Sequence, residues 1–146
     1  ESRLDAAKSG RFQQVKLSIE FGADVDEKSW EKKTALHCAT ERGSLEIVKY
    51  LAEHGGDINA KDEEDKTALH YAAEHGSLEI VKYLVEHGGD INAKDDEDKT
   101  ALHYAAEHGS LEIVKYLVEH GGDINAKDEE DKTALHYAAE HGSLEI

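Results

Sequence analysis

The sequence contains no proline, no methionine and a single cysteine, Cys38, and it has 17 lysines and arginines against 33 aspartates and glutamates. A lone cysteine cannot form a disulfide within the chain, which favours a reducing, cytoplasmic compartment. The formal net charge of −16 argues against nucleic acids and anionic membranes as partners, because both bind basic surfaces. It is compatible with a basic protein partner, although such a charge also raises solubility by itself.

Long apolar runs and an initial methionine are lacking as well. No stretch approaches the roughly 18 apolar residues of a membrane-spanning helix. Because the chain begins with Glu1, a targeting segment before it is compatible with the sequence. The hydrophobic fraction of 38% is low for a compact globule, but it suffices if each segment buries only a narrow stripe against its neighbours.

Internal repetition is what the sequence has in excess. Residues 67–99 read TALHYAAEHGSLEIVKYLVEHGGDINAKDDEDK and recur at 100–132 with one change, Asp96 against Glu129. A fixed period of 33 residues is typical of repeat proteins, in which each unit buries its apolar face only by stacking on its neighbours. We therefore divide the chain, as one array spanning 1–146, into these units: 1–33, 34–66, 67–99, 100–132 and 133–146.

One unit contains two short helices and an extended segment. Thr67 is a suitable N-cap for a first helix with small residues on one side, and Gly76 ends it because glycine adopts the left-handed conformation easily. Ser77 is the predicted N-cap of a second helix, which carries bulky apolar residues at helical spacing and stops at Gly88 and Gly89. The polar stretch DINAKDDEDK that follows predicts a turn or hairpin, because its aspartates favour turns.

The motif T-x-L-H-x-A occurs at Thr34–Ala39 and Thr67–Ala72, and again from Thr100 and Thr133. With this motif, the 33-residue period and the later Leu-Glu-Ile-Val and Asp-Ile-Asn-Ala, the chain resembles the ankyrin repeat family over its whole length. The resemblance implies an all-α fold, a solenoid of stacked helix-turn-helix units joined by short hairpin loops.

The chain departs from the family pattern at a few positions. Alanine follows the threonine where the family prefers proline, so some preorganisation of the helix start is lost. Asp98 and its equivalents stand where the family hairpin usually has glycine, in a left-handed position that aspartate adopts at some cost. Gly89 and its equivalents replace the usual alanine. We expect these changes to cost stability or alter the hairpin tip, without threatening the fold.

The first and last units differ from the others. Unit 1–33 lacks the motif, although residues 4–10 and 12–19 fit two helices. The last unit stops at Ile146, inside its second helix, so we expect its stacking face to be exposed, frayed or covered by another molecule. Self-association through that face is therefore predicted. The face consists of Leu135, Ala138, Ala139 and Leu144.

Ten histidines raise the question of a metal or catalytic site. For those in T-x-L-H the resemblance implies a structural role, hydrogen-bonded to backbone and to the threonine of adjoining repeats. His70 and His75 do not share a helix face, and equivalent residues in successive units lie on the order of 10 Å apart, too far to share an ion. The acidic turn Asp62–Asp65 lacks the ligand pattern of a calcium loop and is interpreted as solvated charge. We predict no metal site and no cofactor.

Nothing in the pattern of residues indicates an enzyme. There is no phosphate-binding loop and no nucleophile elbow, and Cys38 occupies the position of Tyr71, so it is interpreted as a packing residue. Groups that recur in every unit serve the array, whereas active sites usually break the symmetry. The chain is accordingly predicted to be non-catalytic.

The remaining candidate is a surface. In the ankyrin family a partner usually lies on the concave side, against the hairpin tips and the exposed face of the first helix. At the tips the matching positions are Trp30, Glu31 and Lys33; Glu63, Glu64 and Lys66; Asp96, Glu97 and Lys99; and Glu129, Glu130 and Lys132. On the first helices they are Glu41 and Arg42, Glu74 and His75, Glu107 and His108, and Glu140 and His141, with Tyr71, Tyr104 and Tyr137 bordering the groove.

Two functions stay open. The first is a protein-interaction scaffold whose acidic concave surface binds a basic segment of another protein, with Trp30 as an anchor; alternatively, Trp30 packs on the stem of Lys32 or Lys33. The second is an idealised, engineered or recently expanded array with a structural role and no dedicated partner. Units 67–99 and 100–132 favour it, because an asymmetric partner would have made their surfaces diverge. Specific recognition is then expected toward the less regular N-terminal units.

Overall fold

A computed structural model of the chain describes residues 12–141. Within that range it contains eight α-helices, which we number α1 to α8, and no β-strand. This confirms the predicted all-α fold. The first helix predicted at 4–10 and the predicted contact residue Leu144 lie outside the described residues. The helices are Phe12–Glu20 (α1), Ala35–Arg42 (α2), Leu45–Glu53 (α3), Ala68–Glu74 (α4), Leu78–Glu86 (α5), Ala101–Glu107 (α6), Leu111–Glu119 (α7) and Ala134–Glu140 (α8).

The helices form two layers. In one layer α2, α4, α6 and α8 pack on each other in chain order, and in the other α1, α3, α5 and α7 do the same. Within a unit, the first helix also packs against the second, as α4 does against α5. This is the stacking of helix pairs that the repeat predicted, while the limits of the individual units stay a prediction.

The two layers have different side chains in the core. First helices contribute small residues, and Ala72 and Ala105 are completely buried. Second helices contribute bulky ones, such as Ile80, Val81 and Leu84, each at most 2% exposed. Burying each such large apolar side chain contributes about 1.5–3 kcal/mol, and the small residues of the neighbouring layer allow the close approach of helices that this burial needs.

Thr–His pairs cap the first helices, whereas the serines before the second helices do not cap with their side chains. At α4 the backbone N–H of Thr67 donates to His70 Nδ1 at 3.0 Å. The side chain of His70, the third residue of the helix, thus accepts from the backbone of the N-cap residue Thr67. The prediction that Ser77 caps the second helix with its side chain is wrong, because Ser77 makes no such bond. It stands at the N-cap position, but the charge of Glu79 in the first turn supports that helix end instead.

A pair of glycines follows each of α3, α5 and α7, for two different reasons. Gly88 has φ +95°, a left-handed conformation that favours glycine. The N–H of Gly89 then donates to the carbonyl of Leu84 at 2.7 Å. A Cβ at Gly89 would lie 2.7 Å from that same oxygen, closer than the backbone tolerates. An alanine there therefore needs a small shift of the backbone, as at the equivalent Ala23, whose N–H donates to the carbonyl of Ser18 at 3.0 Å. The expected cost of glycine at this position stays a prediction.

The helices described between residues 12 and 141 are all shorter or more polar than a lipid bilayer would require of a spanning segment.

Candidate functional site

Each extended segment ends in a tight turn, which we call a tip. The four tips are residues 29–33, 62–66, 95–99 and 128–132. In tip 95–99 the N–H of Asp95 donates to the carbonyl of Lys99, and the N–H of Asp98 donates to the carbonyl of Asp95, both at 3.0 Å. Asp98 has φ +61°, so aspartate does occupy the left-handed position predicted for it.

A buried aspartate organises each of the three later tips. Asp95 is only 4% exposed. Its Oδ1 accepts from the backbone N–H groups of Glu97 and Lys99, both at 2.9 Å, and its Oδ2 accepts from the hydroxyl of Tyr104. Asp62 and Asp128 repeat this arrangement. The interpretation of the whole acidic turn as solvated charge is therefore wrong for its first residue.

The tyrosines lie beneath the tips. Tyr71, Tyr104 and Tyr137 are each 5% exposed, and each donates its hydroxyl to the aspartate nine residues earlier. A side chain so deeply buried offers a partner almost no surface. Each tyrosine instead connects its first helix to the tip, and we call each bonded Asp–Tyr pair a clamp. Sequence reasoning missed this clamp, although the constant nine-residue spacing of Asp and Tyr was a signal that could have revealed it.

The protonation of the clamp is fixed by these bonds. Burial by itself would raise the pKa of Asp62, but hydrogen bonds from the Tyr71 hydroxyl and from the amides of Lys66 and Glu64 outweigh it and lower that pKa. The pKa of Tyr71 is raised far above its ordinary value by burial and by the Asp62 carboxylate that its hydroxyl binds. At neutral pH this pair thus consists of an ionised Asp62 and a neutral Tyr71.

The first tip lacks the Asp–Tyr pair. Ser29 stands at the position of Asp62, and Cys38 at the position of Tyr71. The Ser29 hydroxyl accepts from the N–H of Lys33 at 3.3 Å, and Cys38 is buried at 1% exposure, which agrees with its interpretation as a packing residue. Lys32 has φ +62°, so the turn itself is the same as in the later tips.

Neighbouring tips are joined into a row. The N–H of Glu63 donates to the carbonyl of Glu31 at 3.1 Å, and the N–H of Asp96 donates to that of Glu64 at 2.9 Å. Glu129 and Glu97 form the same bond at 2.9 Å. We call this the tip row. Because each tip is bonded to the next, side chains at equivalent positions are held at a constant interval.

Trp30 begins the tip row. It occupies the position of Glu63, Asp96 and Glu129, and it is 89% exposed. The alternative that it packs on the stem of Lys32 or Lys33 is wrong, since such packing would cover the ring. Single exposed apolar side chains are common on protein surfaces, but tryptophan is enriched among the residues that anchor binding partners.

The acidic and basic side chains of the tips are placed differently. Lys66 and Lys99, with side chains 16% and 17% exposed, lie among neighbouring groups, whereas Glu64 and Glu97 are 58% and 51% exposed. Lys66 Nζ lies 5.3 Å from the ring centre of Tyr71 and 5.2 Å from that of Tyr104. Two such cation–π contacts connect one unit to the next. Lys66, predicted to bind a partner, therefore also stabilises the stacking of the units.

The carboxylates at the tips lie close enough to repel one another. Partial desolvation, followed by the charges of Glu97, Glu130, Asp96 and Asp98, raises the pKa of the exposed Glu129. Carboxylate oxygens of Asp95, Asp96 and Glu97 lie within 4.8 Å of one another, a distance that a metal ion could bridge. Both Asp95 oxygens, however, already accept the hydrogen bonds of the clamp.

The predicted first-helix positions are partly exposed. Three of the glutamates, at or next to the end of their helices, pair with a tip lysine, and Glu41, for example, accepts from Lys33 Nζ at 3.1 Å. Lys132 pairs with Glu140 at 3.0 Å and Lys66 with Glu74 at 3.9 Å. The residues of this set that the structure leaves exposed are Arg42, His75, His108, Glu140 and His141, whereas Glu41, Glu74 and Glu107 are half-buried.

The motif histidines connect successive units. His70 Nδ1 accepts from the N–H of Thr67, so Nε2 carries the proton and donates to the carbonyl of Lys99 at 2.9 Å. His37 and His103 make the same bonds to Lys66 and Lys132. The structural role is confirmed, with one correction: the threonine partner lies in the same unit, and only the carbonyl belongs to the next. Burial lowers the pKa of both His37 and His70.

A second set of bonds, which sequence reasoning missed, joins the units at Asp-Ile-Asn. The amide of Asn59 donates to the carbonyl of Gly88 at 3.0 Å, and its oxygen accepts from the N–H of Asp90 at 2.7 Å. Asn92 repeats both bonds with Gly121 and Asp123. One side chain thus satisfies two backbone groups of the following unit, which explains why an amide recurs at this position.

The predicted stacking face of α8 is exposed only in part. Leu135 is 69% exposed, whereas its equivalent Leu102 is 2% exposed. Ala139 is also exposed. The prediction is wrong for Ala138, which is 2% exposed and thus buried like its equivalents Ala72 and Ala105.

The chain was also compared with known proteins. The family described as "Ankyrin repeats (3 copies)" matches residues 4–95 and again residues 90–146. A search of curated protein sequences gave no match.

Proposed function

Because the chain belongs to the ankyrin repeat family, whose members generally mediate protein–protein interactions, we propose that it is a non-catalytic scaffold that binds a basic segment of another protein. The surface is formed by the tip row and the neighbouring first-helix ends. Binding needs no cofactor and no reaction, and the single cysteine suits a reducing, cytoplasmic location.

The observation that carries this proposal is the separation of charge at the later tips. In tip 95–99 the carboxylates of Asp96, Glu97 and Asp98 are exposed, while Lys99 is half-buried. The equivalent residues of tips 62–66 and 128–132 are arranged in the same way. A cationic partner therefore meets carboxylates first, and it relieves their mutual repulsion.

Titration with a short lysine-rich peptide tests the proposal. We expect binding at low salt that weakens more than tenfold between about 0.05 and 0.5 M NaCl, because exposed charges are screened. The triple variant Glu64→Gln, Glu97→Gln, Glu130→Gln is expected to bind more weakly, whereas the matched variant Glu46→Gln, Glu79→Gln, Glu112→Gln, altered on the second helices, keeps its affinity. Binding that ignores both salt and the tip variant contradicts the proposal.

A second candidate is a structural array without a dedicated partner, in which copies associate through the last described helix. The 69% exposure of Leu135 on α8 favours it. Sedimentation of the chain over a range of concentrations, compared with the Leu135→Glu variant, distinguishes the two functions. Concentration-dependent association that this variant abolishes supports the structural role, and a monomer at all concentrations removes it.

A further inference from the structure

The tip row has both a fixed interval and a direction. Its tips carry equivalent side chains at intervals set by helix stacking, roughly 8–10 Å. One end begins with exposed Trp30, and the three tips that follow present carboxylates instead. A partner therefore meets one apolar position and then three acidic positions, evenly spaced along a line.

Few peptide conformations match such a row. A β-strand places side chains of one face about 6.7 Å or 13 Å apart, because they alternate at roughly 3.3 Å per residue. A polyproline II helix has three residues per turn and rises about 3.1 Å per residue, so every third side chain lies on one edge at about 9 Å. An α-helix reaches a similar interval only every seventh residue, at about 1.5 Å per residue.

The chemistry of a basic segment favours polyproline II over the α-helix. Segments rich in like charges repel themselves and extend, and polyproline II is a major conformer of such unfolded chains. Short isolated helices are marginal in water. A polyproline II segment of about ten residues, at about 3.1 Å per residue, is also long enough to reach all four tips.

We propose that the partner of the tip row is a basic segment in the polyproline II conformation, with lysine or arginine at every third position opposite tips 62–66, 95–99 and 128–132 and an apolar residue opposite Trp30. An apolar residue rather than a further cation is expected there, because the exposed Lys32 stands at the position of Asp65 in the next tip. The first tip therefore has a positive charge beside Trp30 where the later tips have a carboxylate. This inference rests on the proposed function and adds the spacing and direction of its partner.

The test uses peptides of identical composition, each with three lysines, one leucine at the end and otherwise serine and alanine. One carries lysine at every third position, counted from the leucine, a second at every second position, and a third in a contiguous block. We expect the first to bind roughly tenfold more tightly than the others, since only it places every cation at a tip. The leucine is placed at the N-terminus in one set of peptides and at the C-terminus in another, because either chain polarity satisfies the spacing of the row.

The role of Trp30 is tested by a double-mutant cycle. Trp30→Ala is expected to weaken the leucine-bearing peptide roughly tenfold and its alanine-ended version less than twofold. Phe21→Ala, altered at an aromatic residue that is 85% exposed but outside the tips, is the matched control and leaves both affinities unchanged.

The outcomes separate the inference from the proposed function. Equal binding of the three lysine patterns overturns the inference and leaves the proposed function standing. If Trp30→Ala weakens the leucine-ended and the alanine-ended peptide equally, the placement of an apolar residue opposite Trp30 is overturned. If none of the peptides binds at low salt, the proposed function fails, and the inference fails with it.

Discussion

The tips at 29–33 and 95–99 share a backbone but are held differently. Both close with a bond from the first N–H to the last carbonyl, 2.9 Å for Ser29 and Lys33 and 3.0 Å for Asp95 and Lys99. In the later tip, Asp95 accepts two amides and the Tyr104 hydroxyl, whereas Ser29 accepts the Lys33 amide at 3.3 Å.

The comparison teaches that Asp and Tyr form one device. They are replaced together in the first tip, by Ser29 and Cys38, although the turn is the same. The turn therefore needs an oxygen acceptor at its first residue, while the tyrosine is needed where that acceptor is a buried carboxylate. The four predictions below are arranged by the size of the expected effect.

Removing the buried carboxylate is expected to have the largest effect. Asp95→Ala leaves two amides and one hydroxyl without their acceptor, which costs about 3 kcal/mol in the free energy of unfolding. Urea denaturation followed by circular dichroism measures this loss. Glu97→Ala, at an exposed neighbour, is the control and is expected to stay within about 0.5 kcal/mol. A loss no larger than that of Ser29→Ala would erase the distinction between the two tips.

Removing only the hydroxyl is expected to cost less. Tyr104→Phe keeps the buried ring and deletes one hydrogen bond to a charged acceptor, which is worth about 1.5–3 kcal/mol. If Asp95 and Tyr104 act as one device, the double variant Asp95→Ala, Tyr104→Phe loses at least about 0.5 kcal/mol less than the sum of the single losses. Strictly additive losses would show that the two residues act independently.

The histidine that connects two units makes stability depend on pH. The pKa of His70 in the fold lies below its ordinary 6.5, so both states are neutral above that value and the unfolded state binds the proton more readily below it. Stability is therefore expected to fall as pH drops below about 6.5, by at most about 1.4 kcal/mol per pH unit from this group.

The variant His70→Asn isolates this contribution from the other titrating groups. The difference in unfolding free energy between the chain and the variant should shrink between about pH 7.5 and 5.5. A difference that stays constant over this range would mean that His70 does not control the pH dependence. His37, whose pKa is lowered by burial in the same way, is expected to behave alike.

The tip lysines are expected to give the smallest effects. Lys66 lies between two tyrosine rings at 5.3 and 5.2 Å, and Lys132 lies over one, Tyr137, at 5.5 Å. Lys66→Met should therefore cost about 1 kcal/mol and Lys132→Met about half as much. Thermal denaturation of the two variants measures the difference, and the reverse order would argue against the cation–π contacts.

Much of the fold followed from local patterns. Thr67, Gly76 and the apolar spacing of Leu78–Glu86 act through neighbours within one or two helical turns, so helix existence, order and approximate limits were readable. The left-handed turn position of Asp98 was readable for the same reason. The serine cap failed because a helix start accepts several alternative partners, and Ser77 was only one of them.

The candidate site was harder to read, because exposure depends on residues distant in sequence. Tyr71 and Lys66 belong to positions that face partners in the family, yet the tyrosine is buried under its tip and the lysine is held between two rings. The charge pattern gave no sign of this, since DEEDK reads as uniformly polar. Only the packing of one unit on the next separates its first aspartate from the others.

By itself the sequence determined the period, the two helices of each unit, the turn positions and the strongly acidic charge, because these depend on local spacing and composition. The tertiary structure decided which polar groups face solvent: Asp95 lies inside, Glu97 outside, and Trp30 at the open start of the row. The physical reason is that burial is settled between units, where a buried polar group must find a partner, and an exposed one need not.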